Sequence, residues 1–357
     1  MKICFLLPGR LDRPVGGHKV IYQHANALAA AGHQVFIVNN SYMPAGKNLF
    51  FEHLRMANAF QKAIRQPRRE RSCRNWFPLN PSIKEVHVWD FSWQLVPKAD
   101  AYVATDATTS PFLKEYPVPV TRKYYFIQGY ENWRMNDEQL RATYHIACRK
   151  LVISRWLKEI MDGEGVPSKV TPNGYDSSEF NLTVPLEKKD ACRVSMLYHE
   201  LKSKNSAMGI EALKIVYQQK PELKVSMFGV YDKPEGLPDF IDYYQSPDPV
   251  THNRLNNEAA IFIGTSDMEG WGLTILEAMA CGQAVACTGN RGYLEMAVPG
   301  ENALVSPVGD ARAMAANIIR LMSDDATRYR LATAGLLTAS RFTLEQSNYI
   351  FTSCFRD

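Results

Sequence analysis

Gly264-Thr-Ser-Asp-Met-Glu-Gly-Trp-Gly-Leu-Thr-Ile-Leu-Glu-Ala-Met-Ala-Cys-Gly282 is the most informative segment of the chain. An apolar strand at 261–263 leads into a loop with two glycines, and an apolar helix follows the loop. A helix start presents unpaired N–H groups and the positive end of a dipole, so it suits a diphosphate. Glu269 precedes this start and Glu277 lies within the helix, so the two acids can contact different parts of one phosphate-bearing ligand. A plain solvated helix entry is the alternative.

Strand and helix patterns alternate along both halves of the chain, which predicts an α/β protein with doubly wound parallel sheets. A chain of 357 residues is long enough for two such Rossmann-like domains. The predicted strands are 2–7, 34–38, 101–105, 124–128, 194–198, 224–228, 261–263 and 283–288. The predicted helices are 18–31, 154–162, a helix capped by Asn205 or Ser206 that runs to about 218, and the helix after Gly272.

Residues with binding or catalytic potential cluster after the predicted strands. Ligands of parallel α/β sheets bind at the carboxyl ends of strands. Because so many of these residues share that position, we expect them to converge on ligand sites. The residues and segments in question are Gly16 and Gly17, Asp106, Gln128–Glu131, His199–Lys204, Gly229 and Glu269.

Segment 264–282 resembles the signature of GT-B glycosyltransferases of family 4, in which two glutamates flank a Gly-aromatic-Gly turn over a nucleotide-sugar donor. The segment Pro172-Asn-Gly-Tyr-Asp-Ser-Ser-Glu-Phe180 is similar to the one that family 4 carries at its domain junction. The resemblance implies a GT-B fold with a central cleft between two domains. It implies an acceptor-side domain over 1–171, a donor-side domain over 172–340, and residues 341–357 crossing back onto the first domain.

The resemblance also implies roles for individual donor-side residues. Glu277 would hold the donor ribose hydroxyls, and Glu269 would support the donor sugar. Lys204 matches the family lysine that contacts the diphosphate, whereas His199 stands where an arginine is expected. A structural histidine beside the loop is the alternative for His199. The other predicted donor-binding residues are Gly16, Gly17, Gly229, Gly270, Trp271, Gly272 and Leu273.

Gln128-Gly-Tyr-Glu-Asn-Trp133 stands where many relatives carry a histidine near the reacting centre. This departure makes Gln128 and Glu131 candidate catalytic residues beside Glu269. For Trp133, a packed aromatic turn is an equally good interpretation. The candidate acceptor-side residues are Asp106, Tyr130 and Trp133.

The chain contains no Asp-x-Asp pair, so we predict no metal site and no cofactor, and protein groups must neutralise the diphosphate. Family 4 enzymes retain the anomeric configuration, so the resemblance implies retaining transfer. We favour Glu269 as an electrostatic support, with the leaving diphosphate taking the acceptor proton. A nucleophilic role for Glu269 remains open.

Charge is unevenly distributed: residues 1–170 hold 24 Lys and Arg against 14 Asp and Glu, and the remainder holds 17 against 23. The excess peaks over Lys62–Arg74, which predicts either contact with an anionic membrane or a solvated face. No nucleic-acid module accompanies the charge. The seven cysteines form no CxxC pair, and Met1–Leu7 is too short for a secretory signal, so we expect a cytoplasmic protein, with peripheral membrane contact as an option.

These observations predict a retaining, metal-independent glycosyltransferase similar to bacterial surface-polysaccharide and rhamnosyl-type transferases. It would move a sugar from a nucleotide-diphosphate sugar to a saccharide or lipid-linked saccharide acceptor. One alternative is a GT-B enzyme of the nucleotide-sugar 2-epimerase type. Another is a degenerate GT-B subunit that only binds a partner.

Overall fold

A computed structural model describes residues 1–9, 14–41 and 72–356 of the chain. The chain divides into two compact units. The first comprises Met1–Thr171 and Asn348–Asp357, and the second comprises Pro172–Ser347. Most of the predicted basic cluster, Lys62 to Arg71, lies outside the described residues.

The first unit contains a seven-stranded sheet in which every described pairing is parallel. Its strands are β1 (Lys2–Leu7), β2 (Gln34–Asn40), β3 (Lys84–Val88), β4 (Ala101–Ala104), β5 (Lys123–Ile127), β6 (Arg149–Val152) and β7 (Ser168–Val170). Its helices are α1 (Gly16–Ala30), α2 (Asp137–Tyr144) and α3 (Arg155–Gly163). Short 3₁₀ turns lie at Cys73–Asn75, Ser110–Glu115 and Val120–Arg122.

The second unit contains a six-stranded sheet that is also parallel. Its strands are β8 (Asp190–Leu197), β9 (Lys224–Gly229), β10 (Ile241–Gln245), β11 (Ala259–Gly264), β12 (Ala284–Thr288) and β13 (Ala303–Ser306). Its helices are α4 (Ser206–Gln219), α5 (Pro249–Glu258), α6 (Leu273–Ala280), α7 (Ala311–Ser323), α8 (Asp325–Ala339) and the start of α9 (Leu344–Ser353). Its 3₁₀ turns are Leu186–Lys188, Lys202–Lys204 and Tyr293–Glu295.

The strand orders place one topological switch point in each sheet. The first sheet runs β3-β2-β1-β4-β5-β6-β7, so its order reverses between β1 and β4. The second runs β10-β9-β8-β11-β12-β13 and reverses between β8 and β11. Ligands of open parallel sheets bind where the order reverses, at the carboxyl ends of the strands. The loops after β1, β4, β8 and β11 are therefore the expected ligand-binding loops.

Two helix starts differ from the sequence-based prediction. Helix α1 begins at Gly16 instead of His18, so the Gly-Gly pair forms its first turn and not the preceding loop. Ser154 stands at the N-cap of α3 as predicted, but its hydroxyl makes no capping bond and is buried without a partner among the described residues. Asn205 caps α4: its side chain accepts a hydrogen bond from Met208 N–H.

Phe351, Cys354 and Phe355 of the C-terminal segment are packed in the core of the first unit. Phe351 stacks on the ring of His24, 4.0 Å between centroids, and Phe355 lies 4.5 Å from the ring of Tyr124. The Tyr124 hydroxyl donates to the carbonyl of Cys354. Full burial of such aromatic side chains contributes about 2–3 kcal/mol each. This segment is therefore part of the first unit's core.

The aromatic residues beside the basic cluster are also packed. Trp76 and Phe77 lie 5.6 and 5.4 Å from the buried ring of Tyr22. Arg74 pairs with Glu85, 3.3 Å between Nε and Oε2. These residues have structural partners in the first unit. Over the described ranges, the helices all fall short of the length and apolarity needed to cross a membrane.

Candidate active site

In the second unit, an ion pair joins the two loops at the switch point. Lys204 follows β8 and Glu269 follows β11, and Lys204 Nζ lies 2.7 Å from Oε1 and 2.8 Å from Oε2 of Glu269. The lysine side chain is 25% exposed and the glutamate side chain 13% exposed. Partial burial makes such a pair more strongly coupled than a surface pair. The structure thus brings two predicted site residues into direct contact.

Further hydrogen bonds fix the backbone of both loops. Asn205, with a left-handed φ of 45°, donates from Nδ2 to Asp267 Oδ1 at 2.8 Å. Asp267 N–H donates to the carbonyl of Ser203 at 2.7 Å, and Thr265 Oγ1 donates to the carbonyl of Lys204 at 2.9 Å. Because these bonds run between the loops, the ion pair rests on a preorganised frame.

Helix α6 begins at the same edge of the sheet. Its N-cap is Gly272, with φ of +114°, which has no side chain to bond the first-turn N–H groups. Leu273 is the first helical residue and Glu277, 9% exposed, lies in the second turn. An uncapped helix start supplies N–H donors and a positive dipole for an anion. The edge therefore combines a lysine, a carboxylate and an anion-binding helix start.

Trp271 is a predicted donor-binding residue through its backbone N–H, and the position of its side chain does not test that prediction. Its side chain is 3% exposed and packs edge-on against Phe342, 5.3 Å between ring centroids. The indole Nε1 is buried without a hydrogen-bond partner among the described residues. The side chain is thus a packing element, and donor contact through the backbone N–H groups of Gly270 and Trp271 stays a prediction.

His199 is held by hydrogen bonds in the loop after β8. The backbone N–H of Leu201 donates to His199 Nδ1 at 3.0 Å, and Tyr231 Oη lies 3.4 Å from Nε2. Since a backbone N–H only donates, Nδ1 must accept, so the ring proton sits on Nε2. In this arrangement His199 offers an N–H donor and not the fixed charge of an arginine.

Gly229, at the end of β9, is required by packing. A Cβ at this position would lie 2.5 Å from the carbonyl oxygen of Tyr198 and 3.1 Å from the hydroxyl of Tyr243. The close approach of two strand ends explains the glycine, and the structure shows no further reason for it.

In the first unit, the Gly-Gly pair meets Gln128. A Cβ on Gly17 would lie 3.5 Å from Gln128 Oε1, which is buried without a partner among the described residues. Gly16 is exposed beside it at the start of α1. The next residue, His18, also has a buried Nδ1 that lacks a partner among the described residues. Burial lowers the pKa of His18 to about 4, so the ring is neutral at pH 7.

Asp106 and Glu131 form a buried acidic pair at the ends of β4 and β5. Burial, followed by the nearby charge of Asp106, raises the pKa of Glu131 well above its usual range. Glu131 is 6% exposed and its Oε2 accepts the Ala107 N–H at 2.6 Å. Asp106 accepts from Thr108 and pairs with Arg134, 3.3 Å from Nε to Oδ2. The side chain of Glu131 thus ties two loops together, and its catalytic role stays a prediction.

Tyr130 and Trp133 lie in the loop after β5. Tyr130 is partly buried, and the side chain of Trp133 is 63% exposed. The indole lies beside Gly129, where a Cβ would be 3.4 Å from Cη2. The packed-turn interpretation of Trp133 is therefore wrong, because the ring is presented to solvent.

Sequence reasoning missed several residues that shape the donor-side edge. Ser266 Oγ donates to Glu269 Oε1 at 2.8 Å, and the Tyr293 hydroxyl donates to Ser266 Oγ at 3.1 Å. The sequence could have indicated Ser266, because this hydroxyl residue lies only three residues before Glu269. Tyr293 lies after another strand, β12, and gave no local signal. Thr265 and Asp267 were also missed at this edge, and His18 and Arg134 were missed in the first unit.

Comparisons with known proteins find similar glycosyltransferases. Residues 178–337 match the family described as Glycosyl transferases group 1. The O-antigen chain mannosyltransferase B of Escherichia coli is 38% identical over 87 residues, 24% of this chain and 22% of that protein. The capsular polysaccharide biosynthesis glycosyltransferase CapM of Staphylococcus aureus is 23% identical over 208 residues, 52% of each chain. The chain thus spans about a fifth and about half of these two relatives.

The fold of the whole chain is similar to that of solved GT-B glycosyltransferases. The structure of Anabaena Alr3699/HepE in complex with UDP and glucose matches with a TM-score of 0.72 at 16% identity, over 99% of both chains. The two units are therefore the Rossmann-like parallel-sheet domains of a GT-B fold. The family match lies within the second unit.

Proposed function

We propose that this protein is a retaining, metal-independent glycosyltransferase that moves a sugar from a nucleotide-diphosphate sugar to a saccharide or lipid-linked saccharide acceptor. The observation that carries the proposal is the Lys204–Glu269 pair beside the uncapped start of α6. A match to the group 1 glycosyltransferases spans the same segment. The membership in family 4 that the signature implies is part of the proposal.

The donor-side chemistry follows from that arrangement. The diphosphate would lie against the α6 start and Lys204, which together offset the negative charge that grows on the leaving group. The N–H of His199 adds a neutral donor. Glu269 would stabilise the positive charge at the sugar carbon, and Glu277 would hold the ribose hydroxyls. Protein groups thus supply the electrostatic stabilisation for which other transferases use a metal ion.

For the acceptor side we propose the surface formed by Gly17, Gln128 and the exposed ring of Trp133 in the first unit. Gln128 Oε1, which has no partner in the part of the chain that the structure describes, suits a hydroxyl donor, and an exposed indole suits the apolar face of a sugar ring. Tyr130 would border this surface. Asp106 and Glu131 would keep the two loops in place.

We propose that the pathway is surface-polysaccharide biosynthesis in a bacterial cytoplasm. Support comes from the names of the two relatives and from the cysteines, all seven of which are free thiols. Peripheral contact with an anionic membrane through Lys62–Arg74 remains part of the proposal. Vesicle flotation with and without phosphatidylserine tests it: equal binding to both vesicle types would refute it.

A thermal-shift panel tests the donor site. Ligands that bind only the folded state raise the melting temperature. We expect UDP-, GDP-, dTDP- or ADP-linked sugars of one base series to raise it, with and without EDTA. Loss of the shift in EDTA would contradict metal independence. In the transfer assay, the anomeric configuration of the product, read by NMR, tests retention.

Glu269→Ala tests the catalytic assignment. We expect transfer to be lost while the melting temperature stays within a few degrees. Full activity in this variant would sink the assignment. Conversion of the donor sugar without an acceptor would favour the epimerase alternative, and donor binding without any turnover would favour a partner-binding subunit.

A further inference from the structure

We propose that Tyr293, acting through the hydroxyl of Ser266, is a positioning residue for the Glu269 carboxylate. The inference rests on the proposed function of Glu269. It concerns a residue outside the 264–282 signature, contributed by the 3₁₀ turn that follows β12.

The first observation is a directed chain of hydrogen bonds. Burial keeps the Tyr293 phenol protonated, because it raises the phenol pKa far above its usual value. The phenol donates to Ser266 Oγ at 3.1 Å, and Ser266 Oγ then donates to Glu269 Oε1 at 2.8 Å. Because Ser266 Oγ accepts the tyrosine proton with a lone pair, its own proton points at the carboxylate. The chain thus selects one orientation of the Glu269 side chain.

The second observation is the space that the fold keeps for this tyrosine. The ring is 2% exposed and occupies a slot where neighbouring residues lack a Cβ. A Cβ at Gly272 would lie 2.6 Å from Tyr293 Cδ1, and one at Gly264 would lie 2.9 Å from Cε2. A Cβ at Gly292 would lie 2.6 Å from the Cβ of Glu269. The β12 turn and the Glu269 loop are therefore packed in direct contact.

The third observation is that the serine itself is anchored from the same turn. Asn290 Nδ2 donates to the Ser266 carbonyl at 3.0 Å, and Thr288 Oγ1 donates to the same oxygen. Asn290 Oδ1 accepts the N–H of Tyr293 at 3.0 Å. Backbone and side chain of Ser266 are thus both held by residues 288–293. A phenylalanine would fill the slot equally well if packing were the only role of this residue. A buried hydroxyl costs free energy unless it is hydrogen-bonded, so the bond to Ser266 is what gives the tyrosine hydroxyl a role.

A double-mutant cycle tests the chain. Tyr293→Phe and Ser266→Ala are each assayed for release of nucleoside diphosphate from the donor, with water as acceptor of the sugar. We expect Tyr293→Phe to lower kcat about tenfold while the donor KM stays within about twofold, because a positioning group acts on the reacting carboxylate more than on binding. In the Ser266→Ala background, Tyr293→Phe should have almost no further effect on kcat.

Tyr102→Phe is the matched control. Tyr102 is fully buried in β4, and its hydroxyl donates to Pro97 O at 2.9 Å and accepts from Ala99 N–H at 2.8 Å. This variant also loses a buried phenol bond, and we expect a lower melting temperature with unchanged kcat. Equal kcat losses from Tyr293→Phe in both serine backgrounds, or no loss in either, would overturn the proposal.

The melting temperatures of the same variants give a second readout that needs no activity. If Tyr293 donates to Ser266, the melting-temperature losses of Tyr293→Phe and Ser266→Ala should not add in the double variant. Additive losses would overturn the proposal. Absence of nucleotide release from the wild-type protein over the whole donor panel would count against the proposed function alone. The two failures are therefore distinguishable.

Discussion

Removing the charge of Glu269 should tighten nucleotide binding while it suppresses turnover. Lys204 Nζ lies within 2.8 Å of both carboxylate oxygens, so its charge is largely cancelled by Glu269. Glu269→Gln keeps an oxygen for Ser266 to donate to but removes the negative charge. Two opposite unit charges about 6 Å apart interact by about 1 kcal/mol at an effective dielectric of about 60. A diphosphate near the uncovered lysine should therefore bind about fivefold more tightly.

The same substitution should cost stability and turnover. The pair is partly buried, so its loss falls between that of exposed pairs and buried pairs, at about 1–2 kcal/mol of unfolding free energy. Loss of an electrostatic stabiliser of the transition state should lower kcat about 10²- to 10³-fold. The assay is calorimetric titration with the nucleoside diphosphate that responds in the thermal-shift panel, followed by donor turnover with the same variant.

Lys204→Met is the control for this prediction. It should weaken binding of the same nucleotide, and adding Glu269→Gln to it should restore part of the lost affinity, because the unpaired carboxylate otherwise repels the diphosphate. Weaker nucleotide binding by a folded Glu269→Gln protein would refute the reasoning, because it would show that Lys204 does not face the diphosphate.

Three further predictions concern stability. Gly272→Ala should lower the melting temperature by several degrees, because a residue with a Cβ is strained at a φ of +114° and the new atom meets the Tyr293 ring. Strain and overpacking should lower the free energy of unfolding by about 2–4 kcal/mol, which thermal denaturation measures. Burial lowers the pKa of His24 to about 4, so between pH 6.5 and 4 the unfolded chain binds more protons than the folded one. The free energy of unfolding should therefore fall by up to about 3 kcal/mol as the pH drops through that window. Denaturant titrations should show a weaker dependence of this free energy on pH in His24→Gln. The raised pKa of Glu131 has the opposite sign, since the folded state holds the proton longer, so stability falls as the pH rises past the usual glutamate range; Glu131→Gln should raise the melting temperature at pH 8 more than at pH 5, and equal effects at both would contradict it.

The fold was largely predictable because buried parallel strands are continuous apolar runs. Strand β1 was predicted with its observed bounds, and β9 differs by a single residue at its end. The start of α1 was predicted two residues late, because glycine is a poor helix former and the prediction placed Gly16 and Gly17 in a loop. At α4 the ambiguity between Asn205 and Ser206 was settled by backbone conformation, since asparagine tolerates the left-handed φ of 45°.

The site was predictable only where its residues share one segment. Spacing and residue type placed Glu269, Gly272 and Glu277 on one strand–loop–helix unit, and the structure has that unit. The same reasoning could not separate an exposed side chain from a packed one. Trp271 is buried and Trp133 is exposed, because their surroundings come from distant parts of the chain. Tyr293 was missed for that reason: it reaches Ser266 across the β11–β12 edge of the sheet.

The balance of charge at this edge leads to a last prediction, on salt. Lys204 and Glu269 cancel, so binding of a diphosphate to the wild-type site should depend mainly on the N–H groups at the start of α6. Short-range hydrogen bonds respond weakly to ionic strength, whereas a net charge attracts an anion over a range that salt shortens from about 30 Å at 0.01 M to about 10 Å at 0.1 M. Nucleotide affinity of the wild-type protein should therefore change little between these salt concentrations. The tighter binding expected of Glu269→Gln should become smaller at the higher concentration. A wild-type affinity that falls as steeply as that of the variant would mean that uncancelled positive charge already faces the ligand.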